Sequence, residues 1–298
     1  MCEYRKKLSS KDDRNKSVRV IKYLLFSASI IPTIVGGSIA LSEGRFLLST
    51  WIVLAIALFI GQMGGDYLYY YFTHFHTDKR DSHTKIFSGW KPLFSSYFSN
   101  EKFTLWAGII CLFIDLIIGI YYIITIDYII SFFAVVGGLI ALLFTPLMLR
   151  GLKEPVIFMT FGPLCVYGVY YALAVKFSFD PVLASIPIGF FVAVVAYLKG
   201  AKVEIIKGNN QESIIKLKKK RIIILYALAY ISIIVSVVTS VIPFWTILGI
   251  LSMPIAYLVI KVVKNEKSLL SDYLWAVVKS IMVLIISGIF ISIGYNIR

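Results

Sequence analysis

An all-α membrane protein of nine transmembrane helices, N-terminus cytoplasmic and C-terminus outside, is the fold class this sequence predicts. Three observations carry that prediction. First, 59% of the 298 residues are apolar and only 15% are charged, whereas a soluble domain carries about 25% charged residues; the mean hydropathy is +0.84. Second, nine apolar stretches are each long enough to cross a hydrocarbon core, which takes roughly 20 helical residues. Third, 26 of the 30 Lys and Arg fall on the N-terminal tail and the loops after spans 2, 4, 6 and 8, and only three fall on the other side. That asymmetry sets the orientation.

The spans are read at about 20–41, 47–72, 103–123, 127–148, 155–175, 181–199, 221–241, 244–263 and 273–295. Short polar turns such as Ile126-Asp127 and Val241-Ile242-Pro243 join several of them, so neighbouring spans are antiparallel hairpins. The whole chain reads as one transmembrane domain, 1–298. It carries a basic cytoplasmic tail at 1–19 and larger cytoplasmic loops at 73–102 and 199–220. The first apolar run lacks a small-residue cleavage pattern, which sets it apart from a signal peptide. Pro32, Pro163, Pro187 and Pro254 fall inside spans and predict kinks. Gly36-Gly37, Gly137-Gly138 and Gly162 predict close helix contacts.

A net charge of +14 could suggest nucleic acid, but the basic residues lie between apolar spans, and no nucleic-acid partner is expected. The fit is to the positive-inside rule and to anionic membrane lipids, above all at Lys218-Lys219-Lys220-Arg221. Cys2, Cys111 and Cys165 are too far apart to suggest a metal or disulfide pattern.

Ionisable groups at the edge of an apolar span are costly to keep and are therefore functional candidates. The densest set runs from Gln62 to Pro92. It holds Asp66, Tyr67, Tyr69, Tyr70, Tyr71, His74, His76, Asp78, Lys79, Arg80, Asp81 and His83. Carboxylates three residues apart can share a hard cation such as Mg2+, and adjacent Lys and Arg can bind phosphate oxygens; a solvated loop explains the same residues. A second set follows span 6, with Lys199, Lys202, Glu204 and Lys207. A third, Arg150, Lys153 and Glu154, lies at the cytoplasmic end of span 5. Asp115 is the one acid deep inside a span and should face the bundle interior or a polar cavity. The four tyrosines at 67–71 cover every face of their helix end, so at least one points inward, where an aromatic wall would suit a carbocation.

Along most of its length the chain resembles the UbiA superfamily of intramembrane prenyltransferases, nearest the branch that prenylates dihydroxynaphthoate. The likeness is carried by Pro32, Gly36 and Ala40 in span 1 and by Phe87-Ser88-Gly89. It continues in Gly151, Glu154, Phe161-Gly162-Pro163, Gly168-Val169-Tyr170-Tyr171 and Ser185-Ile186-Pro187. The resemblance implies a UbiA-like bundle that transfers a polyprenyl group from its diphosphate to an aromatic quinone precursor, with Mg2+ as cofactor. It assigns Asp66, Asp78 and Asp81, with Glu204, to the metal. Lys79, Arg80, Lys153 and Lys202 fall to the diphosphate, and Asp78, Asp81 and Glu154 to catalysis. The family's first metal motif repeats aspartate at about four-residue spacing, whereas this helix end reads Tyr69-Tyr70-Tyr71-Phe72-Thr73. That departure keeps a second expectation open. It is a catalytically degenerate UbiA-like protein that binds an isoprenoid or quinone, or serves as a subunit of a membrane complex.

Overall fold

The computed structural model describes residues 24–75, 100–200, 202–205, 213–216, 219–265 and 270–297. Among these, nine helical segments follow one another in the order the hydropathy implies. They are α1 (Ser27–Ser42), α2 (Leu48–Phe75), α3 (Glu101–Thr125), α4 (Ile130–Leu149), α5 (Lys153–Ala174), α6 (Asp180–Lys199), α7 (Lys219–Val238), α8 (Phe244–Lys264) and α9 (Leu270–Asn296). Eight are long and apolar enough to cross a membrane. Large apolar side chains such as Trp106, Phe113, Leu116 and Phe132 stand exposed on α3 and α4, as they do where lipid is the solvent. This is a multi-pass membrane protein. Between α6 and α7 the expected loop contains an antiparallel two-stranded hairpin, β1 (Lys202–Ile205) with β2 (Ser213–Lys216), in which Lys202 pairs with Lys216 and Glu204 with Ile214.

Local chemistry sets the helix ends. Asn100 caps α3 by accepting from the Lys102 N–H at 3.2 Å. The Asp127 side chain accepts from the Ile129 N–H at 2.7 Å and closes the turn into α4. Gly151, at φ +81°, makes the sharp α4–α5 turn that a side chain would strain. Asp180 and Pro181 open α6.

Two spans are irregular where proline removes a backbone donor. In α5 the stretch Thr160–Leu164 widens to a π turn around Pro163. In α8 the stretch Phe244–Ser252 is a 3-10 helix that becomes α-helical at Met253 and Pro254. Pro32 and Pro187 sit inside α1 and α6 as expected, and Pro146 inside α4 adds a site the reading of the spans omits.

The packed core lies among α1, α5, α6, α7, α8 and α9. At its centre Phe191 meets the rings of Tyr226 and Tyr230. Hydroxyls buried there satisfy one another: Tyr226 donates to Ser280 at 3.0 Å, Tyr230 pairs with Ser252 at 2.8 Å, and Ser252 pairs with Ser287 at 2.6 Å. Without water in the hydrocarbon, such pairs fix helix register. At the end of the bundle where α1 finishes, the Tyr170 hydroxyl donates to Glu43 at 3.0 Å and Lys176 pairs with Glu43 at 3.3 Å.

Small residues close several interfaces. A Cβ on Gly36 would lie 2.5 Å from the Val166 carbonyl oxygen, and one on Gly162 would lie 2.9 Å from the Gly189 Cα. The expectation for Gly137-Gly138 is corrected: a Cβ on Gly138 would meet nothing within 4 Å, and one on Gly137 would meet only Leu164, at 3.8 Å. These two glycines border a cavity.

Candidate functional site

Helices α2, α3 and α4 lean on the core without filling the space beside it. Between them and α5 and α6 lies a cavity of about 1020 Å³, at the upper end of ligand-binding volumes. Most of its wall is aliphatic or aromatic. Glycines 65, 137 and 138 line it, and a Cβ on Gly65 would also meet nothing within 4 Å.

Apart from Asp115, the charged lining groups gather at one end, because the antiparallel topology brings the C-terminal parts of α2 and α6 beside the N-termini of α5 and α7. They are Asp66 and His74 from α2, Lys153 and Glu154 from α5, Lys199 from α6 and Arg221 from α7. Lys153 donates to the Ala196 carbonyl at 2.7 Å, so its ammonium lies across the last turn of α6 and shares that carbonyl with the Gly200 N–H, which bonds it at 3.2 Å. Asp66 and Lys199 act on each other electrostatically. The Arg221 guanidinium lies 5.9 Å from the centre of the Tyr197 ring, a cation–π distance. His74 stacks on Tyr70 with ring centres 4.8 Å apart, and Tyr69 meets Phe144 edge-on at 6.0 Å.

Deeper in the cavity two polar side chains stand at one level of α2. Asp115, from α3, lies over Gly61: a Cβ there would come within 2.7 Å of its Oδ2. Gln62 donates through Nε2 to the Leu25 carbonyl at 3.2 Å, and its buried Oε1 has no hydrogen-bond partner among the described residues. Ser27, also on the wall, has a buried hydroxyl that likewise has no partner among the described residues.

Three of the expected site residues, Asp66, Lys153 and Glu154, therefore come together on one cavity. Asp78, Lys79, Arg80 and Asp81 lie outside the described residues. Lys202 and Glu204 are placed on β1 by their backbone, and their side chains are outside the described part. Tyr69 and Tyr70 line the cavity, as the crowded tyrosines require. Arg221, grouped with the lipid-facing lysines by its position in a basic run, lines the cavity instead. Gln62 escapes sequence reasoning as a site residue, because an amide inside an apolar helix gives no spacing signal.

Among the described residues, no three or more His, Cys, Asp or Glu side chains converge as a metal group. The described end of the cavity sets Lys153, Lys199 and Arg221 against Asp66 and Glu154, a donor set that fits a phosphate rather than a bare Mg2+. No protein-family model matches the chain, and no curated protein or solved structure matches it.

Proposed function

We propose that the chain is an intramembrane prenyltransferase that moves a polyprenyl group from its diphosphate to an aromatic quinone precursor in the cell membrane. In this reading the charged end of the bundle faces the cytoplasm, as the charge bias of the loops implies. The observation that carries it is the cavity itself: a basic end held by four helices, continuous with a long apolar chamber.

The chain's own groups account for the chemistry. Lys153, Lys199 and Arg221 hold the diphosphate through charge-assisted hydrogen bonds and stabilise the negative charge that grows as it departs. The C–O bond breaks with its electron pair going to the phosphate oxygen. The acceptor's ring carbon then bonds to the allylic carbon, and the ring proton passes to the departed diphosphate, which restores the ring's aromaticity. The apolar wall keeps water from the cation, and Tyr69 and Tyr70 offer it ring faces. Glu154 and Asp66 keep the cations placed and orient the acceptor. Mg2+ bound with Asp78 and Asp81 would neutralise further charge on the leaving diphosphate.

Purified protein in lipid nanodiscs, given labelled geranylgeranyl diphosphate and dihydroxynaphthoate with and without Mg2+, should form a labelled prenyl arene. No transfer to any quinone precursor, together with unchanged growth of cells carrying Asp78→Ala, would refute the reading. A second reading, isoprenoid or quinone binding without transfer, is favoured by the excess of cations over acids at the basic end. In that case the labelled donor is recovered intact from the cavity.

A further inference from the structure

We propose that the lipid-facing side of α9, built around Lys279 and bordered by Lys261 and Lys264 of α8, holds the phosphate of an anionic phospholipid. The site lies outside the cavity and does not depend on the prenyl-transfer reading.

Lys279 is a cation within a membrane span, where an ionisable group is costly and calls for a partner. The burial pattern of α9 shows which way it faces. Trp275, Met282, Ile289 and Ile293 are exposed, at intervals that keep to one side of a helix. Lys279 stands in that row, four residues after Trp275 and three before Met282, and is itself partly exposed. The opposite side of the helix carries Leu274, Val277 and Ile281, all in the packed core. Lys279 therefore faces lipid. Among the described residues no hydrogen bond or ion pair engages it.

Helix direction decides where its ammonium goes. Lys219 at the start of α7 donates to the Lys264 carbonyl at the end of α8, at 3.4 Å, and α9 starts six residues after Lys264. The N-terminus of α9 is thus at the charged end of the bundle. Lys279 lies nine residues beyond Leu270, about 13 Å along the axis. Side chains on a helix lean toward its N-terminus. The four-carbon stem therefore runs along apolar surface toward the charged end and brings the ammonium near Trp275, one turn closer to it. An indole at that level suits the headgroup boundary.

Charge selects the occupant. On α8, which packs beside α9, Lys261 and Lys264 are exposed at the charged end, on the side that presents Tyr257 and Leu258 to lipid. Among the described residues no acid pairs with Lys261, Lys264 or Lys279. Lysines so placed offer charge-assisted hydrogen bonds to phosphate oxygens, and basic pockets between spans take anionic headgroups. A zwitterionic lipid brings its own ammonium, which these lysines repel. A free phosphate ion lacks the acyl chains that lie along Met282 and Ile289. The run Lys218-Lys219-Lys220 draws any anionic surface; Lys279 differs because it reaches its phosphate from within the acyl region.

The test is native mass spectrometry of protein released from nanodiscs of mixed phosphatidylglycerol and phosphatidylcholine, read beside thermal midpoints. Wild type should retain phosphatidylglycerol in preference to phosphatidylcholine. Lys279→Leu should lower that retention about fivefold, the loss of one lysine contact at a membrane surface, and Lys279→Arg should keep it. Lys220→Leu, which removes the same charge from α7, should leave retention close to wild type. Leucine is favoured over lysine on a lipid-facing helix, so in pure phosphatidylcholine the Lys279→Leu midpoint should equal or exceed that of wild type. Added phosphatidylglycerol should raise the midpoint of wild type and Lys279→Arg and leave that of Lys279→Leu in place. A wild-type protein without the preference, or a Lys279→Leu protein that retains phosphatidylglycerol like wild type, would overturn the site. So would displacement of the lipid by millimolar inorganic phosphate. A lower Lys279→Leu midpoint in phosphatidylcholine would overturn it as well, because Lys279 would then serve a protein partner.

Discussion

Replacing Lys199 with Met, alone and with Asp66→Asn, separates a ligand-holding cation from a structural counter-ion. Inside a bilayer the prenyl tail gains little by leaving lipid for the cavity, since acyl chains are as apolar as the cavity wall. The headgroup must therefore carry most of the affinity. One charge-assisted contact to a phosphate oxygen is worth about 1.5–3 kcal/mol, or roughly 10- to 150-fold in Kd. Lys199 also offsets Asp66 electrostatically, so its removal leaves that carboxylate uncompensated at a cost of about 1–3 kcal/mol. Both groups are only half-buried, which puts the stability loss at the lower end. Kd for labelled geranylgeranyl diphosphate in nanodiscs and the thermal midpoint would be followed together. Lys199→Met should weaken binding at least tenfold and lower the midpoint. The double variant should regain the midpoint and stay weak in binding, and Lys199→Arg should keep most of both. A double variant that binds like wild type would refute the reasoning, because Lys199 would then serve Asp66 alone.

Gly138→Leu should leave the midpoint unchanged or raised, since its Cβ meets nothing within 4 Å and glycine is a poor helix former by about 1 kcal/mol. The new side chain enters the cavity, so competition binding should show long prenyl chains losing affinity while short ones keep it. Gly162→Ala should do the reverse. Its Cβ would stand 2.9 Å from the Gly189 Cα and 3.0 Å from the Ser185 carbonyl oxygen, an overpacking cost of about 1–3 kcal/mol visible as a lower midpoint with little change in Kd. In a background without native cysteines, Ser178→Cys should react with a membrane-impermeant thiol reagent added to intact cells. Asn100→Cys should react only after permeabilisation, and the opposite pattern would invert the proposed orientation.

The frame was legible because hydropathy and charge bias are sums over many residues, and no single misreading changes them. Spans read at 47–72, 181–199 and 244–263 fall within a few residues of α2, α6 and α8. The site was legible in part, and the limit has a physical cause. Glu154 sits in the first turn of α5 and Asp66 about two and a half turns before the end of α2, places where sequence alone shows a polar group beside or within an apolar span. Whether Arg221 faces lipid or cavity depends on helix rotation, which one residue in a run of four basic ones does not reveal. Gln62 and Ser27 are smaller failures of the same kind: their place on the cavity wall is a property only the packed bundle has. Asp115 is the converse, since the cost of a carboxylate facing lipid is enough by itself to demand an inward-facing place.

Glycine explains why the cavity lies beside α2 and α4 and not within the packed half. Removing a side chain brings helices together where a neighbour stands opposite at contact distance, as the Val166 carbonyl does for Gly36 and Gly189 does for Gly162. There the missing volume is taken up by close approach, and the interface is rigid. Gly65 and Gly138 remove volume just as completely, but nothing stands within 4 Å of either Cβ position, so their missing volume adds to the chamber. The same GG pattern at 36–37 and 137–138 thus has opposite consequences, decided by the neighbour and not by the motif. It follows that chamber size is set on α2 and α4, where substitutions can alter which ligand fits without loosening the core that holds Lys153, Lys199 and Arg221 in place.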